Sequence, residues 1–87
     1  MIFGFNSDVK LGDTVYHVQS EVRQKERCLQ TQVFAGGRCL STRSAPLNDA
    51  DIAAEPQIQE MLREQHRKVL EAIRAGNFRE TSHEAHN

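Results

Sequence analysis

Gly12-Asp13 and Gly36-Gly37 each interrupt a run of residues in which apolar and polar side chains alternate. Alternation at period two is typical of a strand with one buried face, and a glycine-containing dipeptide between two such runs predicts a tight hairpin turn. A two-residue turn also fixes the strand register, so that Phe34 pairs with Cys39. A slip of one residue would move every apolar side chain to the opposite face.

The two hairpins are predicted to combine into one antiparallel meander of four strands. Residues 23–28 form a polar loop between them, and pairing Val22 with Leu29 keeps the apolar side chains of both hairpins on one face. The same register places Val33 opposite Leu40. The predicted inner face consists of Phe3, Phe5, Val9, Leu11, Tyr16, Val18, Val22, Leu29, Val33 and Leu40.

A sheet with one apolar face needs a second layer to cover it. From Pro56 to Ala75 apolar residues recur at helical spacing, and Gly76 follows where a left-handed C-cap residue is expected. The predicted fold class is α+β: a four-stranded antiparallel meander with one long C-terminal helix packed on one face. Residues 1–78 form a single domain, and the tail 79–87, which has no apolar period, is predicted to be disordered.

Charge and composition narrow the classes of function. The chain has 11 basic and 12 acidic residues and a net charge of −1, whereas nucleic-acid binding usually needs a basic field. No apolar run approaches the roughly 20 residues of a membrane span, and the first residues do not have the pattern of a signal peptide. We therefore expect a cytoplasmic protein that binds neither membrane nor nucleic acid, with Cys28 and Cys39 as free thiols.

The strand residues that alternate with those of the inner face point to the other side of the sheet. They form an outer face, which is the candidate binding surface. Its successive rows are predicted to be His17, Phe34 and Cys39, then Gln19, Gln32 and Ser41, then Glu21, Gln30 and Arg43. An apolar centre with a polar rim is typical of protein interfaces, although a single exposed aromatic is also an ordinary surface feature. The candidate partner-binding residues are His17, Gln19, Gln32, Phe34, Cys39 and Arg43 on this face, and Arg23, Lys25 and Arg27 in the basic loop.

No catalytic or metal site is predicted, and no cofactor is expected. His17 and Cys39 lie two strands apart with no third group to orient the imidazole. The spacing of His83 and His86 is i and i+3, whereas the zinc-protease pattern needs i and i+4. His66 lies on the apolar side of the helix and is predicted to be half-buried, with a ring nitrogen bonded to a carbonyl or water; a pH-dependent or ligand contact at that position is the alternative.

Three segments carry a resemblance to known proteins: DVKLGDTVYHVQSE (8–21), QTQVFAGGRCL (30–40) and LREQHRKVLEAIRAGNF (62–78). They resemble a set of short bacterial proteins that includes RomX-like adaptors of cell polarity and motility. The resemblance implies a bacterial cytoplasmic adaptor that links a Ras-like GTPase to a response regulator, and it transfers no interface residue. We therefore expect a non-enzymatic interaction module; a homodimeric structural component and a small ligand-sensing domain are the alternatives.

Overall fold

The computed structural model describes residues 4–48 and 55–80. In chain order the elements are β1 (Gly4–Leu11), β2 (Thr14–Arg23), β3 (Cys28–Ala35), β4 (Arg38–Pro46) and the helix α1 (Glu55–Arg74). The strands form one antiparallel sheet in the order β1-β2-β3-β4, so the predicted α+β fold with a meander is confirmed. The predictions for Phe3, for most of the tail 79–87 and for its two histidines lie outside the described residues.

Both predicted hairpin turns are present. Leu11 pairs with Thr14 across Gly12-Asp13, and Ala35 pairs with Arg38 across Gly36-Gly37. The φ angles of Gly36 and Gly37 are 57° and 78°, so both central residues have the positive φ that a type I′ turn requires. The predicted registers of β1 on β2 and of β2 on β3 are also correct.

The register of β4 departs from the prediction after Cys39. Phe34 pairs with Cys39, but Val33 then pairs with Ser41 rather than with Leu40. Leu40 is therefore the extra residue of a β-bulge, and both it and Ser41 are buried, at 5% and 0% exposure. Every later residue of β4 is shifted by one position relative to the predicted register.

The helix α1 crosses the inner face of the sheet and buries Ile58, Leu62, His66, Val69 and Ile73. It ends in a Schellman motif: Gly76 has φ of 75°, the N–H of Asn77 donates to the Ala72 carbonyl at 2.8 Å, and the N–H of Gly76 donates to the Ile73 carbonyl at 3.0 Å. The predicted glycine cap is thus confirmed. Beyond it, the half-buried ring of Phe78 packs edge-on against Tyr16.

The core beneath α1 consists of two apolar clusters. One contains Val9, Val18, Val33, Val69 and Ile73, and the other contains Leu29, Leu47, Ile58 and Leu62. A buried polar residue separates the two clusters along each of three elements. These residues are Ser20 on β2, Thr31 on β3 and His66 on α1. Leu11 lies on the inner side of β1 as predicted, but this last residue of the strand lies beside the turn and is 40% exposed.

Candidate functional site

The outer face is the side of the sheet opposite α1. The helix packs on β1, β2 and β3 through their inner residues, such as Val9, Val18 and Val33. On the other side of the same strands Asp8 and His17 are exposed. Within residues 4–48 and 55–80, no helix or strand covers this outer face.

The first outer row runs across all four strands as Asp8, His17, Phe34 and Cys39, which confirms the predicted alignment of the last three. Phe34 is half-buried between its neighbours, and Val15 nearby is 41% exposed. The row gives the face an aromatic centre that is flanked by an imidazole and a thiol.

His17 has an orienting group that was not predicted from the sequence. Its Nδ1 donates to the Oδ1 of Asp8 at 2.6 Å, because β1 and β2 place the two residues directly opposite each other. The two side chains are 54% and 66% exposed, so the pair is of the solvent-screened kind that contributes at most about 1 kcal/mol. The prediction that no third group orients His17 was therefore wrong.

The thiol of Cys39 makes polar contacts with residues of β3 and β4. Its Sγ lies 3.6 Å from the Ser41 carbonyl oxygen and 3.6 Å from the Thr42 hydroxyl, and the Gln32 amide approaches it at 3.9 Å. Neither Cys39 nor Cys28 forms a disulfide, as predicted. Phe34 separates the thiol from His17 in the row, so the two groups are not arranged as a nucleophile and its base.

The next outer rows differ from the prediction at β4. The second row is Asn6, Gln19, Gln32 and Thr42. On β2, β3 and β4 the third row consists of Glu21, Gln30 and Ser44. Gln19 and Gln32 are placed as predicted. Ser41 and Arg43 are not in these rows, because the bulge at Leu40 moves Arg43 opposite the inner-face residue Thr31. Arg43 as a residue of the outer face was therefore a wrong prediction.

The basic loop carries less free positive charge than its sequence suggests. The guanidinium of Arg23 donates to carboxylates of Glu26 and Glu21, each at 3.1 Å, and to the Gln30 side chain at 3.3 Å. The hydrogen bond to Glu26, and after it the charge of Glu26 and the bond to Glu21, raise the pKa of Arg23. Lys25 is exposed at the tip of the loop. The backbone carbonyl of Arg27 accepts a bond from the N–H of Leu47 at 2.9 Å.

A second group of polar side chains, which was not predicted from the sequence, lies under the helix. His66 Nδ1 is 2.7 Å from the Ser20 hydroxyl, and His66 Nε2 is 2.9 Å from the Ser7 hydroxyl. Ser20 also bonds to Thr31 at 2.7 Å, and the Gln65 amide donates to Thr31 at 2.9 Å. These five side chains, called the polar layer below, connect α1 with the first three strands.

His66 is more deeply buried than predicted, at 5% exposure, and its partners are hydroxyls rather than a carbonyl or water. Burial lowers the pKa of its imidazole because the charged form loses solvation. The Phe5 ring lies 5.6 Å from the imidazole, and the Arg63 guanidinium is 5.3 Å above that ring. Ser7, Ser20 and Thr31 alternate with outer-face residues and therefore lie on the inner side of the sheet. Small polar residues at three inner positions are the signal in the sequence that could have revealed this layer.

Beside the helix a groove of 580 Å³ is open to solvent. It is lined by Leu29, Ala45, Gln57, Glu60, Met61, Glu64, Gln65 and Lys68. His66 is not among the lining residues, so this groove does not reach the imidazole.

Within residues 4–48 and 55–80, no helix has both the length and the hydropathy of a membrane span. In residues 4–48 and 55–80, no group of three His, Cys, Asp or Glu side chains could hold a metal ion. Neither a protein-family model, nor a curated protein, nor a solved structure matches the chain.

Proposed function

We propose that the protein is a non-enzymatic interaction module that binds a partner protein through the outer face of its sheet. The observation that carries the proposal is the row of Asp8, His17, Phe34 and Cys39 on a face that no described element covers. Protein interfaces commonly have a central aromatic anchor surrounded by polar groups. Phe34 is such an anchor.

The groups around Phe34 favour a protein as the partner. The adjacent row offers amides and a hydroxyl from Gln19, Gln32 and Thr42, which can donate or accept hydrogen bonds. The charges near it have both signs, and Arg23 is balanced by carboxylates. A phosphate backbone would need a continuous basic surface, so a folded protein with an apolar contact and a polar surround is the better match.

The experiment is affinity purification of the full chain from its source cell, with the bound proteins quantified for wild type, Phe34→Asp and Gln59→Asp. Gln59 is exposed on the helix, so its variant adds the same charge away from the outer face. We expect Phe34→Asp to lose a partner that Gln59→Asp retains. If folded Phe34→Asp, checked by circular dichroism, retains every partner, the outer face is not the binding surface.

As the finer proposal, the module is a bacterial cytoplasmic adaptor between a Ras-like GTPase and a response regulator. Purified proteins of these two classes can each be titrated against wild type, Phe34→Asp and Gln59→Asp. Binding to wild type and Gln59→Asp but not to Phe34→Asp supports the adaptor. If neither class binds wild type, the proposed link is rejected, while the affinity purification still tests the outer face.

A further inference from the structure

The two edges of the sheet differ in how easily they can accept another strand. The edge strand β4 contains the bulge at Leu40 and ends at Pro46, and both features disfavour regular pairing. The other edge strand, β1, pairs with β2 over eight consecutive residues without a bulge or proline. In the part of the chain that the structure describes, no strand occupies the far side of β1.

The sequence of β1 is complementary to itself in one antiparallel register. When two copies pair through the same strand across a twofold axis, residues that face each other must lie on the same side of the sheet. Because side chains alternate between the two sides, the numbers of two facing residues must both be odd or both be even. When Val9 faces Val9 of a second copy, Asp8 faces Lys10 of that copy and Ser7 faces Leu11. Two Asp8–Lys10 ion pairs then form on the outer face, one on each side of the axis.

The neighbouring registers are disfavoured by charge. Sliding the strands by two residues in one direction brings Asp8 opposite Asp8, and sliding them by two in the other direction brings Lys10 opposite Lys10. Like charges directly opposite each other destabilise a strand pair, whereas opposite charges stabilise it. The charges of β1 therefore select the register that is centred on Val9.

The same register uses groups that the monomer leaves exposed. Lys10 has no ion pair with a carboxylate in residues 4–48 and 55–80, and Asp8 is 66% exposed with Oδ1 bonded to His17. Leu11 has the inner parity of β1 but is 40% exposed. Pairing would give Lys10 a carboxylate and would place Leu11 beside Ser7 and Val9 of the second copy.

We infer that β1 is a homotypic interface, through which two copies join their four-stranded sheets into one antiparallel sheet of eight strands. The outer faces of the two copies then form one continuous surface with two Phe34 side chains. This inference concerns the edge of the sheet and does not depend on a partner that binds at Phe34.

Sedimentation equilibrium over a range of micromolar concentrations tests this interface with a charge swap. The full-chain proteins are wild type, Asp8→Lys, Lys10→Asp and the double variant that carries both changes. Lys25→Asp, at the exposed tip of the loop, is the matched control for the change of charge. Circular dichroism verifies that each variant is folded.

We expect wild type, Lys25→Asp and the double variant to dimerise, and each single swap to weaken association by about tenfold or more, because it places like charges face to face. A wild-type protein that remains monomeric throughout the concentration range overturns the inference. Dimers that persist in both single variants, or a folded double variant that does not recover association, overturn it as well. Phe34→Asp should still dimerise, which separates this result from that of the partner-binding experiment.

Discussion

His66 Nδ1 on α1 lies 2.7 Å from the Ser20 hydroxyl on β2, so the middle of the helix is hydrogen-bonded to the middle of the sheet beneath it. In the described residues every buried side-chain nitrogen and oxygen has a hydrogen-bond partner. An unsatisfied group at this depth is costly, so the helix is stable in the position where Ser7, Ser20 and Thr31 are all bonded. The polar layer therefore fixes where α1 lies along the sheet.

Ser20→Ala is expected to lower the free energy of unfolding by about 1–3 kcal/mol, because it leaves His66 Nδ1 without its partner and removes one bond to Thr31. Urea unfolding monitored by circular dichroism measures the loss. Ser44→Ala is the matched control, since Ser44 is exposed on β4 and its change should stay within about 0.5 kcal/mol. Equal midpoints for the two variants would show that the layer does not contribute to stability.

The stability of the protein is expected to fall as the pH drops below about 6.5. Burial lowers the pKa of His66 in the folded state, so the unfolded chain binds a proton more readily. The contribution of neutral His66 is complete above the unfolded pKa, is lost progressively as the pH falls toward the folded pKa, and levels off below it. Ser7 and Phe5 from β1 and Ser20 from β2 contact the imidazole, and Arg63 from α1 lies over the Phe5 ring. None of these groups supplies a carboxylate to offset the charge.

Urea titrations from about pH 7.5 to 5 on wild type and His66→Gln measure this dependence. The variant should show a smaller loss of stability over the range, because it lacks the buried imidazole. Ser44→Ala is the control: Ser44 is exposed on β4 and does not titrate, so this variant should keep the slope of wild type. If the free energies of unfolding of wild type and His66→Gln change in parallel with pH, His66 is not a source of the pH dependence.

The sheet was predictable because two local signals agreed. The two glycine-containing dipeptides set the turns and the alternation set the faces, so Val22 opposite Leu29 and His17 opposite Phe34 follow from the sequence. The bulge at Leu40 was not predictable in the same way. It depends on the burial of two successive residues, Leu40 and Ser41, and an alternating pattern gives no sign of that.

The polar layer was missed for a different reason. It forms only when residues distant along the chain are brought together, up to 59 positions apart for Ser7 and His66. The Asp8–His17 pair, in contrast, follows from the predicted register of β1 on β2, which places the two residues directly opposite each other, so it could have been predicted from the sequence. The alternation of apolar and polar residues identifies the inner face, but it does not show which small polar residues on that face will contact a helix side chain. The loop differs in this respect, because the carboxylates that balance the charge of Arg23 belong to the near neighbours Glu21 and Glu26.

Gly37→Ala is expected to cost about 1–2 kcal/mol of stability through the backbone alone. The φ of Gly37 is 78°, and a Cβ built on it would meet no atom within 4 Å, so steric contact adds nothing. Gly37→Asn should cost less, because asparagine tolerates positive φ. Thermal unfolding ranks wild type, Gly37→Asn and Gly37→Ala in that order, and an alanine variant as stable as wild type would contradict the assigned turn.

Leu62→Ala is expected to have the largest effect of the changes considered. Leu62 is 0% exposed and packs with Leu29, Leu47 and Ile58 immediately beside the polar layer. Leucine-to-alanine changes in such cores cost about 2.7–5.0 kcal/mol, a large part of the few kcal/mol that stabilise a domain of this size. Val15→Ala, at a residue that is 41% exposed, should cost less than about 1 kcal/mol.

Because Leu62→Ala could leave too little folded protein to measure, Leu62→Met provides a milder step at the same position. Methionine nearly conserves the volume, so its cost should stay below about 1.5 kcal/mol and the helix should remain docked. Urea midpoints should then fall in the order wild type, Leu62→Met, Leu62→Ala, and the near-ultraviolet signal of Tyr16 against Phe78 should persist in the methionine variant. If Leu62→Ala is as stable as Val15→Ala, α1 does not pack on the sheet through Leu62.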